Sequence, residues 1–331
     1  MPALEQLKNT IFNLSNEHDF EQAALTIFQI QAKNNSVYGQ FVQNLGVEPK
    51  NVTQIADIPF LPIQFFKSKE IKTGTWQPEI TFTSSGTTGA TISQHQVKEL
   101  ALYKQSFLAA FKRFYGEPSA YCILALLPAY LERTGSSLVL MADELIKQSS
   151  KSQSGFYLND YLNLIETLKQ LAQNNTPTLL LGVSFALLDV AEMLEGFNYP
   201  NLIVMETGGM KGRRKELIRE ELHAILMQAF GTNSIHSEYG MTELLSQAYS
   251  KGKGLYQSPP WMKISTRDTT DPLSMVAPGA TGGLNVIDLA NLYSCSFIAT
   301  EDLGRVYGDG SFEVLGRFDQ SDIRGCNLMV L

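Results

Sequence analysis

Between Ala120 and Phe230, short apolar runs and amphipathic stretches take turns along the chain, and this alternation limits the fold more than any other feature. "AYCILALLP" reads as a buried strand and "SSLVLMADELIKQ" as the helix that follows it. "YLNDYLNLIETLKQLAQ" predicts an amphipathic helix, followed by the strand "PTLLLGV" and the helix "FALLDVAEMLEG". "NLIVMET" and "RRKELIREELHAILMQAF" repeat the pair. Strands interleaved with helices in this way predict an α/β fold with a largely parallel sheet.

The two flanks read differently. From Leu4 to about Asn34 the apolar residues recur at helical spacing, and Phe20, Ala24, Ile27 and Phe28 share one face. "IADIPFLPIQFFKSKEI" breaks that period with two prolines and a dense apolar cluster, the pattern of a connection pressed against a core. "EITFTSS" is a short β-branched and aromatic run that leads into a glycine-rich loop. Beyond Gly252 the helices run out. "GGLNVIDLA", "SCSFIAT", "GRVYGDG" and "SFEVLGR" predict short strands joined by turns, with "GDG" as a hairpin signal. A chain of 331 residues, 44% of them apolar, is long enough to bury a sizeable core. The expected organisation is a single domain with a helical part (1–75), an α/β nucleotide-binding core (76–251) and a β-rich subdomain (252–331).

Several function classes are set aside by composition. A net charge of -7 argues against a nucleic-acid binder that relies on a basic surface. Cys122, Cys295 and Cys326 lie far apart without CxxC spacing, so neither a zinc site nor a disulfide framework is indicated. The four histidines are equally scattered. The start, "MPALEQLKNT", has no basic segment followed by an apolar run, and no apolar stretch is long enough to span a bilayer. A cytoplasmic protein is expected.

The chemistry concentrates in three segments. "TFTSSGTTGA" packs glycines and hydroxyls into ten residues. It is not a Walker loop, because Ala90 stands where the lysine belongs, and it is not a GxGxxG fingerprint. Glycines let backbone N–H groups converge on an anion, and hydroxyls add donors without fixed charge. A surface loop and a phosphate cradle both fit. "HSEYGMTELLSQ" orders Tyr239, Gly240, Met241, Thr242 and Glu243. Tyrosine beside glycine can lie against a planar base, and a glutamate can hold Mg²⁺ through hard oxygens. The plainer reading is a strand ending in a turn, with Tyr239 in the core and Glu243 in the first turn of a helix. "TEDLGRVYGDGSFEVLGRFDQSDIRG" supplies Asp302, read as following a strand, and Arg317. A carboxylate at a strand end can accept both hydroxyls of a ribose. A turn aspartate and a solvated arginine are the alternatives.

In this order the three segments resemble the adenylate-forming enzymes, the superfamily of acyl-CoA synthetases, peptide synthetase adenylation domains and luciferases. The resemblance runs from about Thr83 to Gly325. It implies an α/β fold of the adenylate-forming N-terminal-domain type, with ATP and Mg²⁺ as cofactors. It implies phosphate contacts from Ser84, Ser85, Gly86, Thr87, Thr88 and Gly89. Tyr239 and Gly240 would meet adenine, Thr242 the α-phosphate, Glu243 the Mg²⁺, and Asp302 and Arg317 the ribose. Gly208 and Gly209 of "METGGMKG" fall where that superfamily has a wall of the adenine pocket. Two departures stand out. The loop lacks the usual Pro-Lys continuation, and the chain stops six residues after Gly325, where the superfamily carries a mobile C-terminal domain with a catalytic lysine.

"IPFLPIQFFKS", "METGGMKGRRKE" and the terminal "DIRGCNLMVL" are similar to one branch, the acyl-protein synthetases of the LuxE type. That branch implies activation of a fatty acid as acyl-AMP, acceptance of the acyl group on a cysteine near the C-terminus, and delivery to a partner reductase or another acyl acceptor. The matching cysteine is Cys326, beside Gly325 and close to Arg324. A thiolate attacks a mixed anhydride readily, with AMP as the leaving group. The alternative is a small apolar residue in a terminal strand. Two rival functions are an acyl-CoA or aryl-CoA ligase of the phenylacetate-CoA ligase type and a nucleotide-binding subunit of a lipid-modifying complex without turnover.

Overall fold

Three helices open the chain: α1 (Pro2–Thr10), α2 (Glu17–Asn34) and α3 (Ser36–Asn44). They belong to a computed structural model that describes residues 2–84, 91–127, 135–194, 196–208 and 217–318. The helical run is interrupted at Asn16, whose side chain caps α2 by accepting from the Asp19 N–H at 2.9 Å. Phe20, Ala24, Ile27 and Phe28 are all buried, on the face their spacing predicts. Gln31 on the same helix is buried as well. Its Nε2 donates to the Asn291 carbonyl at 2.9 Å, and its Oε1 accepts from the Ser296 N–H at 2.9 Å. Both ends of that amide are satisfied, so α2 is pinned to the 289–296 loop near the other end of the chain.

The connection after α3 does more than cover the core. β1 (Leu61–Pro62) is a two-residue strand, and α4 (Phe65–Ser68) is a single turn behind it. Ile58, Leu61, Ile63 and Phe66 are buried. β2 (Ile80–Thr83) then pairs antiparallel with β3 (Gln94–Val97), in register from Ile80↔Val97 to Thr83↔Gln94. β3 was not expected, because "QHQV" is too short and too polar to read as a strand.

The α/β part follows the predicted alternation, with α5 (Leu100–Tyr115) and β5 (Gly155–Phe156) as elements the pattern did not announce: α5, β4 (Cys122–Leu126), α6 (Ser137–Ser149), β5, α7 (Tyr161–Gln173), β6 (Thr178–Gly182), α8 (Ser184–Ala191), β7 (Leu202–Glu206), α9 (Arg219–Phe230) and β8 (His236–Tyr239). Every residue of β4 and β6 is buried, as in a parallel sheet covered on both faces. β5, β4, β6, β7 and β8 run parallel in that spatial order.

The remaining strands are β9 (Ala248–Ser250), β10 (Leu255–Gln257), β11 (Met262–Arg267), β12 (Thr281–Asp288), β13 (Phe297–Val306) and β14 (Phe312–Arg317). They extend the same sheet antiparallel from β8, in the order β9-β10-β14-β13-β12-β11. β1 pairs parallel with β13, aligning Leu61 with Ile298 and Pro62 with Ala299. The expected break between "SCSFIAT" and "GRVYGDG" is absent. β13 is one ten-residue strand that carries Asp302 in its interior rather than after its end. A carboxylate tolerates that buried position because both of its oxygens are bonded there, as described below. The "GDG" hairpin joins β13 to β14, with the Tyr307 N–H donating to the Ser311 carbonyl at 2.8 Å and Gly310 at φ +81°. Among the described residues no helix is long and apolar enough to cross a membrane.

Candidate active site

The glycine-rich loop is closed at its base by two serines. The Ser84 N–H donates to the Ser93 carbonyl at 3.1 Å, and the Ser84 hydroxyl accepts from the Ser93 N–H at 2.9 Å. The Thr83 N–H donates to the Gly135 carbonyl at 2.8 Å. Gly135 has φ +88°, and a Cβ there would stand 2.8 Å from the Thr81 carbonyl, so only glycine allows this approach. Ser85, Gly86, Thr87, Thr88 and Gly89 lie outside the described residues.

Ser93 also connects the loop base to Glu243. Glu243 is 5% exposed and lies in a turn after β8, not in the first turn of a helix. Burial pushes its pKa above the usual carboxylate range, opposed by a hydrogen bond with Ser93 and by the positive charges of Arg317 and Lys67. The turn itself is held from three sides. Asn291 Nδ2 donates to the Glu243 carbonyl at 2.8 Å. Asp288 accepts from the N–H groups of Leu245 and Ser246 at 2.8 and 2.9 Å. His95 of β3 lies 2.9 Å from the Thr242 carbonyl through Nδ1 and 2.9 Å from the Ser294 hydroxyl through Nε2. Burial drops the His95 pKa to about 4, so the ring is neutral near pH 7. A neutral ring meets both contacts when Nδ1 donates to the carbonyl and Nε2 accepts from the hydroxyl. The Thr242 side chain is half-buried.

Asp302 and Arg317 are direct cross-strand partners in β13 and β14, next to a register shift at Leu303 and Gly304. Arg317 Nε donates to Asp302 Oδ1 at 3.2 Å, and the Tyr239 hydroxyl donates to Oδ2 at 2.9 Å. Thus three expected site residues meet on one carboxylate. Each carboxylate oxygen retains a lone pair for a further donor, such as a ribose hydroxyl. The Tyr239 ring is buried edge-on to Phe312 and Tyr256, with centroids at 5.5 and 5.9 Å. Its hydroxyl bond to Asp302 was not legible in the sequence.

Gly208 and Gly240 stand over two buried glutamates at the C-terminal ends of the parallel strands β7 and β8. Open α/β sheets bind their ligands at this edge. Gly208 has φ +56° and donates its N–H to Glu206 Oε2 at 2.8 Å; Gly209 lies outside the described residues. Gly240 folds back so closely that a Cβ would meet Glu238 Oε1 at 2.4 Å. Glu238 accepts from the Thr207 hydroxyl at 2.6 Å. Burial, aided by the charge of Glu206, pushes its pKa to about 7.

That shift fixes the sign of a pH effect. A raised carboxyl pKa means that the folded state keeps a proton the unfolded chain releases near 4.5. Stability is therefore lost as pH rises from about 4.5 to about 7, by roughly 3 kcal/mol from this group. Glu238→Gln removes the titrating group but keeps an acceptor for Thr207. The variant should gain stability relative to the wild type between pH 4.5 and 8, measured as urea unfolding at both pH values. Parallel stability curves for the two proteins would contradict a buried proton at Glu238.

Among the described residues no three histidine, cysteine or acidic side chains gather as a metal centre. Glu243 and the Ser93 hydroxyl bonded to it nevertheless offer oxygen donors. That suits a Mg²⁺ held chiefly by nucleotide phosphates and water through a single carboxylate. A buried carboxyl group with a raised pKa gains from such a cation. Cys122 and Cys295 are buried, and burial raises both thiols, Cys295 to about 12. Cys326 lies outside the described residues.

The family model described as acyl-protein synthetase, LuxE, matches residues 7–331. The chain belongs to the LuxE acyl-protein synthetase family. No curated protein matches its sequence. Among solved structures, this LuxE-family chain is similar to a 2-hydroxyisobutyryl-CoA ligase in complex with 2-HIB-AMP and CoA. The TM-score is 0.67 at 13% identity, over 92% of this chain and 69% of the ligase. Apo MatB from Rhodopseudomonas palustris matches with a TM-score of 0.52 at 13% identity, over 80% of this chain and 49% of MatB. The chain spans about half the length of MatB. Its fold is that of the adenylate-forming ligases.

Proposed function

We propose that this chain activates a carboxylic acid with ATP and passes the acyl group to a protein thiol. The observation that carries the reading is the convergence of three sequence segments. The Ser84–Ser93 loop base, the Thr242–Glu243 turn, the Asp302–Arg317 pair and Tyr239 meet within one LuxE-family chain. In the first step a carboxylate oxygen attacks the α-phosphorus of ATP. The bond to the β-phosphate breaks, pyrophosphate leaves and acyl-AMP remains. The substrate is already ionised at neutral pH, so no general base is needed. The loop base holds the phosphates, Asp302 and Arg317 orient the ribose, and Glu243 with Thr242 faces the reacting phosphate. A Mg²⁺ on Glu243 would supply charge neutralisation.

In the second step the thiolate of Cys326 attacks the acyl carbon, AMP leaves with the bond electrons, and a thioester forms. The buried state of the other two cysteines supports Cys326 as the acceptor within this chain. A fatty acid as substrate, a cytoplasmic setting and delivery to a partner reductase or acyl-acceptor protein belong to the same reading. The 2-hydroxyisobutyryl-CoA ligase structure holds an acyl-AMP together with CoA, so CoA is the competing acceptor.

Intact-protein mass tests the whole proposal. Incubation with Mg²⁺, ATP and a panel of short, medium and long fatty acids should add one acyl group, dependent on ATP and reversed by hydroxylamine. A CoA thioester formed without any mass gain would move the chain to the CoA ligases. Tight ATP binding without pyrophosphate release for any acid would leave a binding subunit.

A further inference from the structure

The glycine-rich loop raises a question of charge. From Thr83 to Val97 it contains no lysine or arginine, although a nucleoside triphosphate brings several negative charges. The next cation, Lys98, is taken: it pairs with Glu99 at 3.3 Å and lies 3.9 Å from the centre of the Tyr293 ring. Arg317 is committed to Asp302.

Lys67 lies on the connection before the loop. β1 fixes its approach by pairing with β13, and the Ile63 N–H adds a bond to the Ala299 carbonyl at 2.9 Å. Gln64 Nε2 then donates to Glu301 Oε1 at 2.8 Å, one residue before Asp302. Phe66 is buried with its ring edge-on to His95, centroids 5.6 Å apart, and His95 is the ring that holds the Thr242 carbonyl. Lys67 follows directly. Its Nζ stands 4.0 Å from Glu301 Oε2, beyond hydrogen-bond range, and its side chain is 40% exposed. Among the described residues the ammonium donates no hydrogen bond, and its positive charge is felt at Glu243.

The geometry points to Lys67 as the cation that binds phosphate oxygens of the nucleotide, supplied by α4 in place of a lysine in the loop. This assignment rests on the ATP-dependent reading above. Three N–H donors on a flexible stem suit the moving charge of a phosphate chain, and no proton is transferred. During adenylation the ammonium offsets the negative charge that passes to the departing pyrophosphate. The long contact with Glu301 then serves as a parking place that ATP outcompetes.

Calorimetry with ATP, ADP, AMP and adenosine on full-length Lys67→Ala, Lys67→Gln and Lys67→Arg tests this. A charge-assisted phosphate contact predicts an ATP affinity loss of about 10-fold to 100-fold for alanine and glutamine. Arginine should recover part of it, adenosine affinity should stay unchanged, and the melting temperature should be preserved. The point in the nucleotide series where the loss first appears names the phosphate. Equal loss for adenosine, or no loss for ATP, overturns the assignment. A wild type that binds ATP but releases no pyrophosphate removes the proposed activity and leaves Lys67 standing. Unchanged ATP affinity in Lys67→Ala, with exchange still running in the wild type, removes Lys67 alone.

Discussion

Replacing Glu243 by glutamine is expected to reduce ATP–pyrophosphate exchange by about 100-fold to 1,000-fold, the range seen when one preorganised charge-stabilising group is lost. The amide has the shape of the carboxyl group and can still bond Ser93, but it cannot take the negative charge that a Mg²⁺ on the nucleotide requires. Stability should move the other way. Burial raises the Glu243 pKa, so the folded state holds this proton more tightly than the unfolded chain does, and stability falls as pH rises through the folded pKa. Glutamine removes that loss. The variant should therefore melt no lower than the wild type at pH 8 while its exchange activity collapses, a trade between stability and function seen at strained sites. The measurement is exchange of labelled pyrophosphate into ATP, alongside a thermal melt of the same preparation. Exchange retained within a factor of about 3 would remove Glu243 from the site, since 1.4 kcal/mol already corresponds to tenfold.

How far the sequence could be read depended on whether a signal was local. The β4 and β6 runs, "CILAL" and "TLLLG", are buried at every position because both faces are covered, and their order with α6, α7 and α8 was legible from pattern alone. The Gly310 hairpin was legible because a positive φ demands glycine. Asp302 was found by its motif but placed one element out. Its charge suggested the end of a strand, and the Tyr239 and Arg317 contacts that make it tolerable inside β13 come from 63 and 15 residues away. His95 gave no signal at all. Its role rests on Thr242 and Ser294, 147 and 199 residues away in sequence, and "QHQV" has no feature that announces either. β1 was hidden for the same reason: two residues have no periodicity, and only their pairing with β13 makes them a strand. Lys67 shares that fate. Its neighbours Gln64 and Phe66 set its position through Glu301 and His95, so a lysine in an apolar connection reads as solvated until the fold is known.

Cys326→Ala should abolish the hydroxylamine-sensitive acyl adduct completely while leaving pyrophosphate exchange within about 2-fold of the wild type, because removing a second-step nucleophile leaves the barrier of the first step untouched. The separation follows from the chemistry. On the proposed reading, acyl-AMP forms from two substrates with the Ser84, Glu243 and Asp302 groups, none of which depends on a thiol. Thioester formation needs a thiolate that can reach the mixed anhydride. Cys295 cannot substitute, since it is fully buried and its thiol is raised to about 12, leaving almost no thiolate near pH 7. Cys122 is buried in β4 and raised in the same direction. A variant that still forms acyl-AMP but has no thiol acceptor should also accumulate the adenylate, visible as acyl-AMP in a quenched single-turnover reaction. Two results would count against the carrier role. An undiminished acyl adduct on Cys326→Ala would move the acceptor to another residue, and loss of exchange together with the adduct would make Cys326 part of the adenylation site instead.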